Sequence, residues 1–399
     1  MTSLAVAQTT WRTKTALVAH LLSIALVAAI PLSNSVTTVL SIVLPLTCLI
    51  YMHKASWYNV LRQPITIAIL LFVALSIIAA FYSIGESKDI TLALRKQCRL
   101  LYFLFFVPLF ADLKWRHYAN IAFLTATFIS VVGALIYTWA FFKDPIFTSL
   151  FVSIAIFILA HYSLSYKKYR RYTIALALFF TFYLFFIGTG RVGQLLFFVF
   201  ATLFMFQRVK FSRRTIILSA ISLCTMLSCI IFLPSSFVER QLLAASEVQE
   251  YLKQPTDHIS HESSLGIRFV LAKNTWELVK QRPFFGFGSG AFRNAYMQYA
   301  PEMKTHSPRR TNPHNQYLLT QVELGIPGLL LLLAIFGLLF RAFWQQKNLD
   351  GYLGVGLMSA FIIGCTMNSW ILDVTSCFFF IVMTAVYAGR IYNDANFAR

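Results

Sequence analysis

The stretch NPHNQYLLTQVELGIPGLLLLLAIFGLLF, residues 312–340, decides what kind of fold this is. From 316 to 340 it is mostly apolar. Crossing the hydrocarbon core of a bilayer takes about 20 such residues in a helix. Yet the run opens on a His-Asn pair behind Pro313, so a helix is expected to begin between His314 and Gln316. Gln316, Thr320 and Glu323 then recur at i, i+4 and i+7, forming one polar stripe. A helix that served only as a lipid anchor would need neither the imidazole nor the stripe.

The rest of the chain repeats the apolar pattern. Of 399 residues, 58% are hydrophobic and only 12% are charged, and 39 are Phe. Soluble domains carry roughly 25% charged residues. The expected fold class is an all-α polytopic membrane protein. Twelve apolar runs lie near 15–33, 36–52, 65–83, 99–111, 118–140, 146–163, 172–188, 191–207, 215–233, 316–340, 351–368 and 370–389. The run at 99–111 is short enough to be tilted or re-entrant. Arg12 and Lys14 precede the first run as in a signal peptide. No small-x-small site follows and the second run starts at once, so the first helix is expected to be retained. No internal repeat is evident.

The net charge of +19 does not indicate nucleic acid, because the basic residues sit in short clusters between apolar runs. With a cytoplasmic N-terminus, alternation puts these clusters inside: Lys54 and Arg62; Lys114 and Arg116; Lys167, Lys168, Arg170 and Arg171; Arg208, Lys210, Arg213 and Arg214; Arg341 and Lys347; Arg390 and Arg399. Both termini therefore come out inside. Outer segments are short turns except 84–98 and 234–315. Long loops translocate largely regardless of charge, so the ten Lys/Arg of 234–315 do not contradict this. The expected organisation is helices one to nine over 1–233, a large outer loop with amphipathic helices over 234–315, and helices ten to twelve with a short tail over 316–399. His314 then faces outward. The six cysteines lie in or beside apolar runs, which reads as small buried side chains and gives no disulfide framework.

Several basic residues have no inside role. Arg191 follows Gly188-Thr189-Gly190 and opens a run, where free N–H groups and the helix dipole favour an anion and a guanidinium adds a fork matching phosphate. The plainer alternative is an interfacial Arg reaching lipid headgroups. Arg95 and Arg99, four apart, share a helix face suited to membrane lipids or to substrate. In the long loop, Leu265, Phe269, Ala272, Trp276 and Val279 fall at helical spacing, with Arg268 near the start and Pro283 as the stop. Gly286-Phe-Gly288-Ser-Gly290 tempts a phosphate-loop reading, but a tight turn letting the backbone approach a neighbour suits it better. His258, His261 and Glu262 do not match zinc-protease spacing, so no metal site is expected. Glu323 lies about 13 Å along the helix from His314 and needs a partner or a wet cavity; an interhelical hydrogen bond is the favoured reading. Gly325 and Gly328 are expected to admit a neighbouring helix. His314 can accept a proton from a hydroxyl near neutral pH, or can simply cap the helix. Asn368 and Asp373 fall on the same outer side.

Three elements of this set resemble the O-antigen ligase family and its relatives, the O-antigen polymerases and bacterial protein O-oligosaccharyltransferases. His314-Asn315, nine residues, then Gly325-Ile-Pro-Gly328 is similar to H-[NSQ]-x9-G-x-x-G; Arg191-Val-Gly-Gln-Leu195 to R-x3-L at the start of a span; and Arg268…Trp276…Pro283…Gly286-x-Gly288 to the loop before the His. The resemblance covers roughly 185–375. Gly188-Thr-Gly-Arg191 lacks the Ser often found before this Arg. The resemblance implies inverting, metal-independent glycan transfer at the periplasmic face of the bacterial inner membrane, with no cofactor. The donor would be a glycan on undecaprenyl diphosphate and the acceptor a lipid A–core hydroxyl. Arg191 and Arg268 would bind the diphosphate, His314 would be the base or orienting group, and Asn315 would assist. Substrate contacts are also expected of Arg95, Arg99, Gly288, Glu323 and Asp373. A polymerase would share the donor. The protein-glycosylating relatives are usually longer, and this chain stops ten residues after run twelve. A transporter would place its polar groups near mid-membrane in related halves, which this pattern does not show.

Overall fold

The computed structural model describes residues 2–51, 54–136, 144–208, 236–253, 264–299 and 312–397, with Ser228. Every regular element among them is helical. In chain order the main helices are α1 (Thr2–Leu32), α2 (Asn34–Tyr51), α3 (Lys54–Leu61), α4 (Pro64–Phe81), α5 (Ser87–Cys98), α6 (Tyr102–Phe106), α7 (Leu113–Ile136), α8 (Pro145–Ser165), α9 (Arg170–Phe182), α10 (Arg191–Arg208), α11 (Ser236–Lys253), α12 (Ser264–Gln281), α13 (Phe292–Tyr299), α14 (Gln316–Gln345), α15 (Leu349–Met367) and α16 (Val374–Phe397).

Among the described residues, eight helical segments are long and apolar enough to cross a membrane: Lys14–Leu32, Pro64–Phe81, Leu113–Ile136, Pro145–Ser165, Lys167–Ile187, Gln316–Gln345, Leu349–Met367 and Val374–Ile391. The protein is a multi-pass membrane protein. These eight coincide with eight of the twelve expected runs. Of the others, 36–52 forms the shorter apolar helix α2, and 191–207 forms α10. The run at 99–111 is not one regular span. It continues α5 through a 3-10 turn (Arg99–Leu101), the short α6 and a second 3-10 turn (Val107–Phe110). Pro108 in that last turn lacks the N–H that an α-helix would use. Apart from Ser228, the run at 215–233 lies outside the described residues, as do Cys224, Cys229, Lys210, Arg213, Arg214, His258, His261, Glu262 and Arg399.

Packing groups the chain into two compact units, residues 1–126 with 271–399, and residues 127–270. In the first, α14 packs on α15 and α4, and α16 packs on α15 and on the Val107–Phe110 turn. One end is held by a buried ion pair: Arg116 Nε lies 3.1 Å from Asp350 Oδ2, too poorly aligned to count as a hydrogen bond, and Arg116 also donates to the carbonyls of Phe110 and Ala111. In the second, α8 packs on α9 and α10. A Cβ on Gly193 would fall 2.3 Å from the Ser149 carbonyl oxygen, so only glycine permits this approach of α10 to α8. Ser153 Oγ then donates to the Gly193 carbonyl at 2.6 Å.

Candidate functional site

α14 is broken two turns in, and the break organises its surroundings. Gly325 has φ 67° and ψ −164°, outside the helical region, and Pro327 carries no N–H. The i→i−4 donors for the carbonyls of Glu323 and Val322 would be the N–H groups of residues 327 and 326. The first does not exist, and the second turns away to the Pro283 carbonyl at 2.9 Å. The two freed carbonyls accept instead from Gly288 N–H at 2.9 Å and Phe287 N–H at 2.7 Å. The glycine-rich turn therefore docks on the gap in α14 by three backbone hydrogen bonds. Gly325 was expected to admit a helix; it admits this turn, whose Phe284 carbonyl oxygen would lie 2.1 Å from a Cβ there.

The same geometry shows what surrounds Gly288 and Glu323. Gly288, with φ 99°, packs against Ser83 and the Ala79 carbonyl at the end of α4, and its N–H is engaged by Glu323. Ser289 Oγ donates to the Ser76 carbonyl, and Tyr82 to the Phe285 carbonyl. Glu323 is buried, with the N–H groups of Gly290 and Phe292 directed at its carboxylate. Its partner is the loop, where the sequence favoured a neighbouring helix.

The polar row at the head of α14 bonds to α15 and to the turn at 368–373, residue by residue. Asn315 caps α14 through Leu318 N–H and donates to the Thr366 carbonyl. Gln316 accepts from Ile371 N–H, and Tyr317 donates to the Ile362 carbonyl. His314 precedes them at φ 55°, the one non-glycine left-handed residue among those described. Such a conformation costs about 1–3 kcal/mol and persists where the surroundings over-determine it. Here His314 N–H donates to Asn312 Oδ1 at 2.9 Å, and Nδ1 lies 3.2 Å from Asn368 Oδ1. Asp373 caps α16 through Thr375 N–H at 2.8 Å. Arg99 donates to the neighbouring Leu372 carbonyl at 3.3 Å. Beside it, burial holds the Lys96 pKa below the usual ammonium range; the Arg99 charge acts in the same direction, and Glu323, Asp373 and Asp89 offset part of the effect. Lys96, not Arg95, thus accompanies Arg99: Arg95 is exposed. The i, i+4 rule missed this because the helix tightens into a 3-10 turn at Arg99.

In the second unit the cations form a separate group. The chain leaves α9 through a π-helical turn (Tyr183–Ile187) and enters α10 at Arg191, its first residue. Gln194 fixes that corner by donating to the Leu184 carbonyl. A Cβ on Gly190 would collide with Ser149, which explains a glycine immediately before the Arg. Arg191 lies 3.4 Å from Glu247 Oε2 on α11, while its buried Nε has no hydrogen-bond partner among the described residues. Arg268 on α12 joins them. Burial and then the Arg191 charge lower its pKa, and Glu247 offsets part of this. Two guanidinium groups thus feel the field of one carboxylate, which Arg191 contacts, leaving net positive charge and an Arg191 donor without a partner among the described residues. Glu247 gave no sequence signal, being one carboxylate in a polar helix. On α12 the expected apolar stripe holds only in part: Val279 is buried as expected, Phe269 and Trp276 are exposed, and Val270, Leu271 and Leu278 are buried in their place.

Residues 175–333 match the O-antigen ligase family. That segment holds Arg191, Arg268, the glycine-rich turn, His314 and the α14 break. The chain is also 30% identical over 151 residues to an uncharacterized protein of Haemophilus influenzae, a similarity covering 37% of this chain and 36% of that relative. It therefore spans about a third of the relative's length. Outside the matched segment lie Asn368, Asp373, Lys96 and Arg99, which the structure brings to His314 or to the 368–373 turn beside it.

Proposed function

We propose that the protein transfers a glycan from a lipid diphosphate to a sugar hydroxyl, as an O-antigen ligase. In this reading the donor is a glycan on undecaprenyl diphosphate and the acceptor is the lipid A–core. The apolar helices lie in the bacterial inner membrane, and segment 234–315 and His314 face the periplasm. The observation that carries the reading is His314: within the family segment, a titratable side chain is held in a strained backbone conformation by partners on both sides.

The chemistry follows from the groups present. The acceptor O–H gives its proton to His314 as its oxygen bonds to the anomeric carbon. The bond from that carbon to the diphosphate breaks on the opposite face, inverting the configuration. The electron pair leaves with the diphosphate, which stays on its lipid. Arg191 and Arg268 bind that diphosphate and stabilise its growing charge. Arg99 with Lys96 supplies positive charge beside the 368–373 turn for an anionic substrate group, and exposed Arg95 suits headgroups or the same substrate. Asn315, Gly288, Glu323 and Asp373 serve the substrate indirectly, by fixing the backbone around His314 and the glycine-rich turn.

The test is single-turnover transfer in detergent, with purified protein in EDTA. The wild type is expected to transfer, and His314→Ala and Arg191→Ala are expected to lose transfer while still inserting in the membrane. Wild-type transfer by either variant would remove that residue's role. Activity lost in EDTA and restored by a divalent ion would overturn the metal-independent reading.

A further inference from the structure

We infer that Asn368 is a positioning residue for His314: its side-chain oxygen holds the imidazole in the tautomer protonated at Nδ1. This deepens the reading above and rests on His314 being the base.

Ser369 N–H donates to Asn368 Oδ1 at 2.9 Å. A backbone N–H can only donate, so the Asn368 atom facing it is the carbonyl oxygen and not the amide nitrogen. The same oxygen lies 3.2 Å from His314 Nδ1. Two acceptors would repel there, so Nδ1 must carry the hydrogen. In the neutral ring this leaves the lone pair at Nε2, the nitrogen that then takes the proton of the attacking hydroxyl. The second half of the device fixes the backbone. Asn312 Oδ1 accepts both His314 N–H at 2.9 Å and Ser369 Oγ–H at 2.6 Å. His314, Asn312, Ser369 and Asn368 thus close a ring of hydrogen bonds across two chain segments 54 residues apart. Asn368 itself is extended and tied to α15 by its own N–H on the Gly364 carbonyl. A neutral amide orients the imidazole without placing a charge against it.

The tautomer can be read without any substrate. The protein with 15N-labelled histidine would be compared by NMR with its His314→Gln variant, which removes one of the eight histidine signals. The structure expects His314 with hydrogen at Nδ1; hydrogen at Nε2 alone in the neutral ring would overturn the inference. In the transfer assay, Asn368→Ala is expected to lower kcat roughly 10- to 100-fold, by analogy with the loss of a partner that orients a metal-bound histidine. The donor KM should stay unchanged, and Asn368→Asp, which keeps an acceptor oxygen at that place, should restore most of the rate. An Asn368→Ala protein with wild-type kcat would overturn the role. Should the Ala variant fail to fold, the wild-type spectrum and the Asp variant's rate decide, a rate as low as His314→Ala counting against. Full activity in His314→Ala is a different failure: it removes the base itself, and Asn368's part in transfer with it.

Discussion

His314 is the residue on which most depends. General-base catalysis by a positioned side chain contributes about 10²- to 10⁴-fold, so His314→Ala should lower kcat by that order while folding is retained. Rapid-quench turnover with matched protein amounts measures it. Arg191 makes a different demand. Its guanidinium stands at the first residue of α10, bound to Glu247 through one nitrogen and leaving Nε available. Lysine cannot reproduce that fork, so Arg191→Lys should behave nearly as Arg191→Ala in donor binding. Donor affinity equal to wild type in the Lys variant would mean that charge alone suffices. His314 and Arg191 were legible in the sequence because each is a polar residue at a helix start in a greasy chain. Their partners were not. Glu247, Asn312 and Ser369 are ordinary residues in polar or turn sequence; the fold brings Glu247 to Arg191, and Ser369 to the Asn312 side chain that holds the His314 backbone.

At the scale of elements, the break in α14 does the organising. Gly325 and Pro327 were visible as a motif, but their purpose was not. A Gly-x-Pro in an apolar run reads as a kink or a close helix contact. The structure shows instead a docking place whose two freed carbonyls receive the glycine-rich turn. That pairing joins residues about 35 apart in the chain, which no periodicity reveals. Gly325→Ala combines a left-handed φ with a Cβ 2.1 Å from the Phe284 carbonyl oxygen. It should cost more than about 2 kcal/mol, detected as a lower thermal midpoint in detergent. An unchanged midpoint would contradict the docking. The Arg116–Asp350 pair should behave comparably at the other end of the unit. Both side chains are buried, so Asp350→Ala strands a guanidinium and should cost about 3–5 kcal/mol.

For the whole molecule, composition alone established a helical multi-pass protein, and the eight spans lie where eight of the twelve apolar runs were read. The run at 99–111 was read as a short span, tilted or re-entrant, and it folds as the short α6 between two 3-10 turns. The charge pattern predicts which way the molecule faces. A cysteine placed at Lys88, whose side chain is 66% exposed, should react with an impermeant reagent on cells with an opened outer membrane. One placed at exposed Lys168 should react only after the inner membrane is breached. The reverse pattern would invert the topology and put His314 in the cytoplasm.

Transfer from lipid diphosphate to lipid A–core requires both substrates, so acceptor dependence decides between ligase and polymerase. Purified protein would receive a glycan on undecaprenyl diphosphate, with lipid A–core in one tube and none in the other, and the products would be separated on a gel. The account predicts glycan on lipid A–core in the first tube and unchanged donor in the second. Longer lipid-diphosphate glycans in the tube without acceptor would contradict it and mean a polymerase using the same donor. Unchanged donor in both tubes, under conditions where a known ligase works, would contradict glycan transfer itself.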